Sequence, residues 1–197
     1  MKQHAPATLR NREPIAEVLA RELPASGTVL EIAAGTGEHA VFFAARFPAL
    51  RWLPTDPSAD ALASIAAYGQ DYAGDNLAAP LLLDAAAPDR WPVTEAGAIL
   101  CINMVHISPW EATLGLFRGA AQVLSSAGGP LILYGPYREE GVETAPSNLG
   151  FDASLRSRNP LWGLRIAEEL GEVAAQHGFA RSARYALPAN NIMLVYS

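Results

Sequence analysis

Cysteine is almost absent. The single Cys101 leaves no partner for an intrachain disulfide and no spacing for a zinc site. It lies in the apolar run Ala98-Ile99-Leu100-Cys101-Ile102 and reads as a small buried hydrophobe rather than a reactive thiol. Only four histidines accompany it, scattered along the chain, so no metal is expected. Basic residues are also few: 14 Lys and Arg stand against 20 Asp and Glu, a net charge of −6. Only Arg10/Arg12 and Arg156/Arg158 come close together, whereas a nucleic-acid binder needs clustered cations to replace counterions. No apolar run approaches the ~18 residues of a membrane span, and the N-terminus has no apolar leader core. The expectation is a cytoplasmic protein acting on neither nucleic acid nor membrane.

What is present is a core. Half of the 197 residues are hydrophobic and 17% are charged, enough for one substantial domain over 1–197 and too little for two. The stretch T-V-L-E-I-A-A-G-T-G-E-H-A (28–40) organises the rest. Val29, Leu30 and Ile32 suit a buried parallel strand, Gly35-Thr36-Gly37 makes a sharp turn, and Glu38 opens a helix to about Phe47. Such a turn at a helix N-terminus brings backbone N–H groups close to a ligand.

Upstream, residues 1–13 read as extended and polar, followed by an amphipathic helix from about Glu13 to Leu23 with Pro14 in its first turn. Residues 1–24 thus form an N-terminal helix or lid. Downstream, a second strand covers Leu50 to Asp56, and a helix follows over Ala59 to Tyr72 with Ser58 as its cap. A third strand over Asn76 to Leu83 ends at Asp84, and a fourth covers Gly97 to Ile102. After a loop, Trp110 to Leu124 is helical and Pro130 to Tyr134 is a fifth strand. Segment 135–161 is an insertion over the strand ends carrying a helix near Leu149 to Arg158. A helix from Leu164 to His177 and two strands, Phe179 to Leu187 and Asn191 to Tyr196, close the chain. Alternating strands and helices predict an α/β fold with a parallel sheet; the last two strands, joined by a short turn, must be antiparallel.

Gly35-Thr36-Gly37-Glu38-His39-Ala40 satisfies the dinucleotide pattern G-x-G-x-x-A, and Asp56 lies 19 positions after Gly37, where an acid that binds ribose hydroxyls belongs. These features leave NAD and S-adenosylmethionine (SAM) both open. Three others favour SAM. Glu31 stands four residues before Gly35, where it would repel a pyrophosphate and attract a sulfonium and ammonium. Asp84, 28 positions after Asp56, is a second strand-end acid suited to an adenine amino group. Finally, the closing antiparallel pair departs from a doubly wound dinucleotide sheet.

This pattern resembles the class I SAM-dependent methyltransferases. V-L-E-I-A-A-G-T-G resembles their first motif, with Ala33-Ala34 where a glycine often stands, a change the backbone is expected to tolerate. Longer strings resemble the methyltransferase-like protein 26 family, formerly a domain of unknown function. They include P-A-T-L-R-N-R-E-P-I (6–15), E-I-A-A-G-T-G-E-H-A (31–40), L-C-I-N-M-V-H-I-S-P-W-E-A-T (100–113), L-Y-G-P-Y (133–137), the run 145–165 and P-A-N-N (188–191). The resemblance implies a Rossmann-like class I sandwich, a seven-stranded, mostly parallel sheet with an antiparallel last strand beside the fifth. It implies SAM as cofactor and supplies no acceptor.

The cofactor-binding candidates are Glu31, Ala33, Gly35, Thr36, Gly37, His39, Asp56, Pro57, Asp84, Asn103 and Met104. Asn103 would turn its amide toward the methyl donor and Met104 would pack on adenine or sulfur. Methyl transfer is an in-line displacement at an activated carbon, so alignment and exclusion of water matter most. A hydroxyl acceptor would also call on a base, His106 (ordinary value near 6.5) or Tyr134; an amine or thiolate would not. Arg12, Tyr137, Asn148, Phe151, Asn190 and Asn191 are the candidates for a substrate pocket over the strand ends, with Arg10 and Asn11 beside Arg12 in a lid. The expected partners are a small-molecule substrate and, at most, a second copy in a homodimer. The leading expectation is a SAM-dependent methyltransferase. Its competitors are a SAM- or partner-binding protein without chemistry and an NAD-dependent oxidoreductase.

Overall fold

Short apolar runs that alternate with amphipathic segments build three layers. The computed structural model describes residues 1–124 and 128–197. In chain order it contains α1 (Pro6–Glu22), β1 (Gly27–Ile32), α2 (Glu38–Arg46), β2 (Leu50–Asp56), α3 (Ala59–Gln70), β3 (Leu81–Leu82) and β4 (Ala98–Ile102). There follow α4 (Trp110–Leu124), β5 (Leu131–Gly135), α5 (Pro146–Arg158), α6 (Ala167–Gln176), β6 (Arg181–Leu187) and β7 (Asn191–Tyr196). The seven strands form one sheet in the order β3-β2-β1-β4-β5-β7-β6. The first five are parallel, and β7 inserts antiparallel between β5 and β6. The expected Rossmann-like α/β architecture is therefore the observed one.

Because side chains alternate along a strand, each buried strand feeds two cores. Leu30, Ile32, Ile99, Cys101, Leu131 and Leu133 pack with α4 and α6 on one face. Val29, Ala98, Leu100, Ile132 and Tyr134 pack with α1 and α2 on the other. Neither face reaches water, which is why these strands read as continuous apolar runs.

Two expectations need correction. Residues 6–13 are helical rather than extended, so α1 begins at Pro6. Pro6 occupies the first turn, where its missing N–H is harmless, and the Glu38 carboxylate accepts the Ala5 N–H at 2.7 Å. With the N-terminus anchored and Ile15, Val18 and Leu19 buried, the helix continues through Pro14 despite the lost backbone bond. The third strand is only two residues long. Upstream of it the segment still follows β2, with Trp52 N–H donating to Asn76 at 2.7 Å and Ala78 N–H donating to Trp52 at 2.8 Å. Pro80 then interrupts the ladder because it has no N–H to give.

The end of β5 leads into the connection that carries α5. That connection is tied back to the β4–α4 loop and to α6: Gly163 N–H donates to His106 O at 3.1 Å, and Ala167 N–H to Arg138 O at 2.8 Å.

Candidate functional site

The strand ends position everything here. In a parallel sheet the carboxyl ends of β1, β2 and β4 open onto one side, and a cleft of about 810 Å³ lies there. Ile32, Ala33 and Gly35 come from the end of β1, Asp56 and Pro57 from β2, and Leu83 and Asp84 from the third strand segment. Ile102, Met104 and Ile107 come from β4 and its loop, Glu111 and Ala112 from the first turn of α4, and Leu161 and Trp162 from the connection after α5.

The first turn is built by left-handed backbone. Ala33 (φ 56), Gly35 (φ 58) and Gly37 (φ 88) all adopt it. The tolerance expected of Ala33 is thus bought with strain of about 1–2 kcal/mol, of the kind that functional turns store. Gly37 has a further reason to be glycine: a Cβ there would lie 2.8 Å from Ile65 Cα in α3. Asn103, leaving β4, is a fourth left-handed residue (φ 63), so both central strands turn sharply at the cleft.

Asp56 closes the turn. Its Oδ2 accepts the Gly35 N–H at 2.9 Å and its Oδ1 the Ser58 N–H at 2.9 Å, leaving each oxygen further acceptor capacity. Burial raises its pKa, and the two N–H donors oppose that rise. Asp84 Oδ1 accepts the Ala86 N–H at 2.9 Å, and its backbone carbonyl accepts the Trp91 indole N–H at 3.0 Å. Three carboxylates, Asp56, Asp84 and Glu111, reach the cleft wall; among the described residues no Lys or Arg does.

Other candidates lie beside the cleft rather than on its wall. Glu31 points to the opposite face of β1 from Ile32, fully buried, where its Oε2 accepts the Trp52 indole N–H at 2.6 Å. Burial pushes its pKa up to about 7, against the pull of the indole bond and with a further push from the Asp56 charge. The Thr36 hydroxyl donates to Glu38 at 3.2 Å, and its carbonyl accepts the Ser64 hydroxyl at 2.7 Å, so it faces α3. His39 stacks on Phe43, and its Nε2 meets Asn11 Oδ1 at 2.8 Å. Burial pushes its pKa down to about 4, so the neutral ring donates that bond. The Asn11 side chain also bonds the Tyr134 hydroxyl, which burial drives further from ionisation. One amide therefore ties α1, α2 and β5 together.

His106 is 3% exposed, and burial with the nearby Arg165 charge lowers its pKa to about 4 rather than leaving it near 6.5. Neither His106 nor Tyr134 is tuned as a base near neutrality. The six candidate substrate residues do not share one pocket. Tyr137, Asn148, Asn190 and Asn191 line a separate cleft of about 210 Å³ with Glu139 and Arg184. Phe151 packs edge-on against His106, with ring centroids 5.5 Å apart. Arg12 lies over the Phe42 ring at 4.7 Å. Among the described residues no group of three His, Cys, Asp or Glu side chains is arranged to hold a metal ion, and no helix is long and apolar enough to cross a membrane.

With this geometry in hand, a family model described as a protein of unknown function (DUF938) matches residues 2–197. The chain belongs to the DUF938 family. Solved structures share the fold at low identity. An O-methyltransferase family protein from Burkholderia thailandensis superposes with a TM-score of 0.75 at 18% identity, over 97% of this chain and 57% of that one. The SAM-dependent methyltransferase SibL, in its apo form, gives 0.76 at 18% identity, over 96% and 55%. CalO1, a methyltransferase in calicheamicin biosynthesis solved with S-adenosylhomocysteine (SAH) bound, gives 0.71 at 19% identity, over 93% and 54%. The DUF938 chain thus spans just over half the length of these structures, and what it shares with them is the class I methyltransferase fold.

Reading the sequence missed Trp52 as the partner of Glu31, Asn11 as the hub under Tyr134, and Glu111, Ile107 and Trp162 on the cleft wall. A parallel pairing of 28–32 with 50–56 would have brought Trp52 near Glu31. Nothing local marks the others, whose place depends on how the chain returns after α5.

Proposed function

We propose that this protein is a SAM-dependent methyltransferase acting on a small-molecule acceptor, as a single domain over 1–197. The observation that carries the reading is the charge of the cleft: Asp56, Asp84 and Glu111 on its wall with no basic side chain. A dinucleotide brings a pyrophosphate, which such a wall repels. SAM brings a sulfonium and an ammonium, which it attracts.

The residues present fit this group. The Gly35–Gly37 turn admits a close backbone approach, the spare acceptor capacity of Asp56 suits a ribose diol, and Asp84 suits an adenine amino group. Met104, Ile107 and Leu83 offer apolar surface for the base. Glu31 lies one strand residue from the wall; burial leaves it only partly ionised near neutrality, and a cation bound above the turn would favour its anion. When bound, SAM supplies an activated methyl carbon. The chain's own work is to align the acceptor with it and to keep water out. The strings at 31–40 and 100–113 that resemble the methyltransferase-like protein 26 family support the same reading, as do the methyltransferases that share the fold.

Calorimetry with SAH tests it. Wild type should bind, and Asp56→Ala should bind about 10–100-fold more weakly, the worth of hydrogen bonds to a charged acceptor. Absence of binding, unchanged binding by the variant, or stronger thermal protection by NAD than by SAM defeats the assignment. A cofactor-binding protein without transfer chemistry is the second reading, favoured by the mistuned His106 and Tyr134. Transfer of a labelled methyl group to any metabolite of a cell extract excludes it.

A further inference from the structure

At the carboxyl end of β5, where Gly135 pairs with Ile192, the β6–β7 turn and residues 139–148 enclose the second cleft, of about 210 Å³. Three asparagines on its wall share one arrangement. Asn148 Nδ2 donates to the Asn190 carbonyl at 3.0 Å, Asn190 Nδ2 to the Ser147 hydroxyl at 3.2 Å, and Asn191 Nδ2 to the Pro188 carbonyl at 3.0 Å. A backbone carbonyl can only accept, so the Asn148 and Asn191 amides are fixed with nitrogen on the protein and oxygen left over. Asn148 is 8% exposed and lines the cleft, and its Oδ1 meets no donor among the described residues. An amide oxygen largely withdrawn from water and given no donor forfeits about 1–3 kcal/mol, so one presented to a cleft points to a donor that arrives with a ligand. The charges agree. Arg184 is the one cation on the wall among the described residues, and Glu139 takes it in a bidentate pair at 3.0 and 2.6 Å. Glu143 enters no ion pair among the described residues, so the wall keeps one uncompensated negative charge.

We propose that this cleft is a second ligand site, which binds a primary ammonium group on a small aliphatic body. The Asn148 amide oxygen accepts from the ammonium and Glu143 balances its charge. The site goes beyond the methyl-transfer reading and does not depend on it. Four properties of the cleft select this class. Its volume lies below the ~300–1,000 Å³ of sites that enclose a drug-sized molecule, so it has no room for a nucleotide. An anion would face Glu143 while the Arg184 guanidinium is already held by Glu139. A hard metal ion needs several oxygens converging on one point, and among the described residues no three acidic, His or Cys side chains gather so. A neutral amide brings an acceptor as well as donors, but the three asparagine amino groups that could meet it are spent on the protein. An ammonium has three N–H donors and no acceptor, which matches a wall whose free groups are oxygens.

Methylammonium, tetramethylammonium, acetamide and acetate, titrated into the full chain to tens of millimolar, separate donors from charge. The readout is the side-chain amide NMR resonances of Asn148, Asn190 and Asn191, with those of Asn148 assigned by their loss in Asn148→Ala. Methylammonium should shift them saturably. Tetramethylammonium carries the same charge without an N–H and should bind about 10-fold more weakly or worse, the worth of a hydrogen bond to a charged donor. Acetamide and acetate should leave the resonances unmoved, and magnesium should not displace methylammonium. Asn148→Ala should weaken methylammonium about 10-fold, read on Asn190 and Asn191. Should that variant not fold, Glu143→Gln is the second test: it removes an exposed charge and should weaken binding about 2–5-fold. Asp89→Asn, which removes an acid outside the cleft, should leave the affinity as it is. An equal response to tetramethylammonium or acetamide, a response to acetate, displacement by magnesium, unchanged binding by Glu143→Gln, or no saturable shift with methylammonium overturns the proposal.

Discussion

The Trp52 indole N–H donates to the Glu31 carboxylate across 2.6 Å, at a point where both side chains are closed off from solvent. A single neutral donor offsets only part of the cost of burying a carboxylate, and no cation pairs with Glu31 among the described residues. The balance of burial over the indole bond, aided by the Asp56 charge, holds its pKa at about 7. A carboxyl raised in the folded state binds its proton more tightly there than when unfolded. Its contribution to stability is therefore complete below about pH 4.5 and is lost as the pH rises through about 7.

Glu31→Gln should accordingly change stability in a pH-dependent way. At pH 8 the variant should be more stable than wild type by about 1–2 kcal/mol, the relief of the buried charge less the cost of an unpaired amide N–H2. At pH 4.5, where wild type is already protonated, it should be no more stable. Urea denaturation at the two values measures the difference. A variant that is equally stable or less stable at pH 8 would show that Glu31 is stabilised as an anion in the folded protein.

The two glycines of the turn should respond unequally to the same added methyl group. Both have positive φ, so alanine brings strain of about 1–2 kcal/mol at either site. At Gly35 nothing lies within 4 Å of the new carbon, whereas at Gly37 it meets Ile65 Cα at 2.8 Å. Backbone cannot swing aside, so α2 and α3 must separate. Gly35→Ala should lose about 1 kcal/mol or less after the gain in chain stiffness, and Gly37→Ala about 2–4 kcal/mol. Chemical denaturation of both variants gives the comparison, and equal losses would mean that α3 does not press on the turn.

Where the periodicity of the sequence was strong, it was enough. Short apolar runs marked β1, β2, β4 and β7, and the short connection between β6 and β7 forced their antiparallel pairing. Proline misled in both directions. Pro14 looked like a helix start because a chain-local reading cannot see Glu38 anchoring the Ala5 N–H 33 residues away. Pro80 was passed over inside an apolar run, although it breaks the third strand. The acids that the sequence placed at the cleft, Asp56 and Asp84, were those at strand ends, where position alone implies it. His106 and Tyr134 looked like bases because their type is visible in a sequence and their burial is not. The cleft wall after α5 was illegible because Leu161 and Trp162 reach it only through contacts with the β4–α4 loop.

Those contacts converge on Arg165. Its guanidinium donates to the carbonyls of Ser108 at 2.9 Å, Leu161 at 2.8 Å and Val105 at 3.4 Å, and it lies over the Trp110 ring at 5.5 Å. One planar fork thus joins both sides of the cleft mouth. Arg165→Met keeps the apolar stem and leaves three carbonyls short of a donor, so stability should fall by about 1–3 kcal/mol. Arg165→Lys should recover little, because an ammonium cannot reproduce the fork. Arg118→Met removes an exposed ion pair with Asp89 (2.6 Å) and should stay within about 0.5 kcal/mol of wild type. Amide hydrogen exchange separates a local effect from a global one. In Arg165→Met, protection should drop at 105–108 and 161–164 while the amides of β4 and β5 stay slow. Uniform loss across the sheet, or full rescue by lysine, would mean that Arg165 acts through its charge alone and does not clamp the mouth of the cleft.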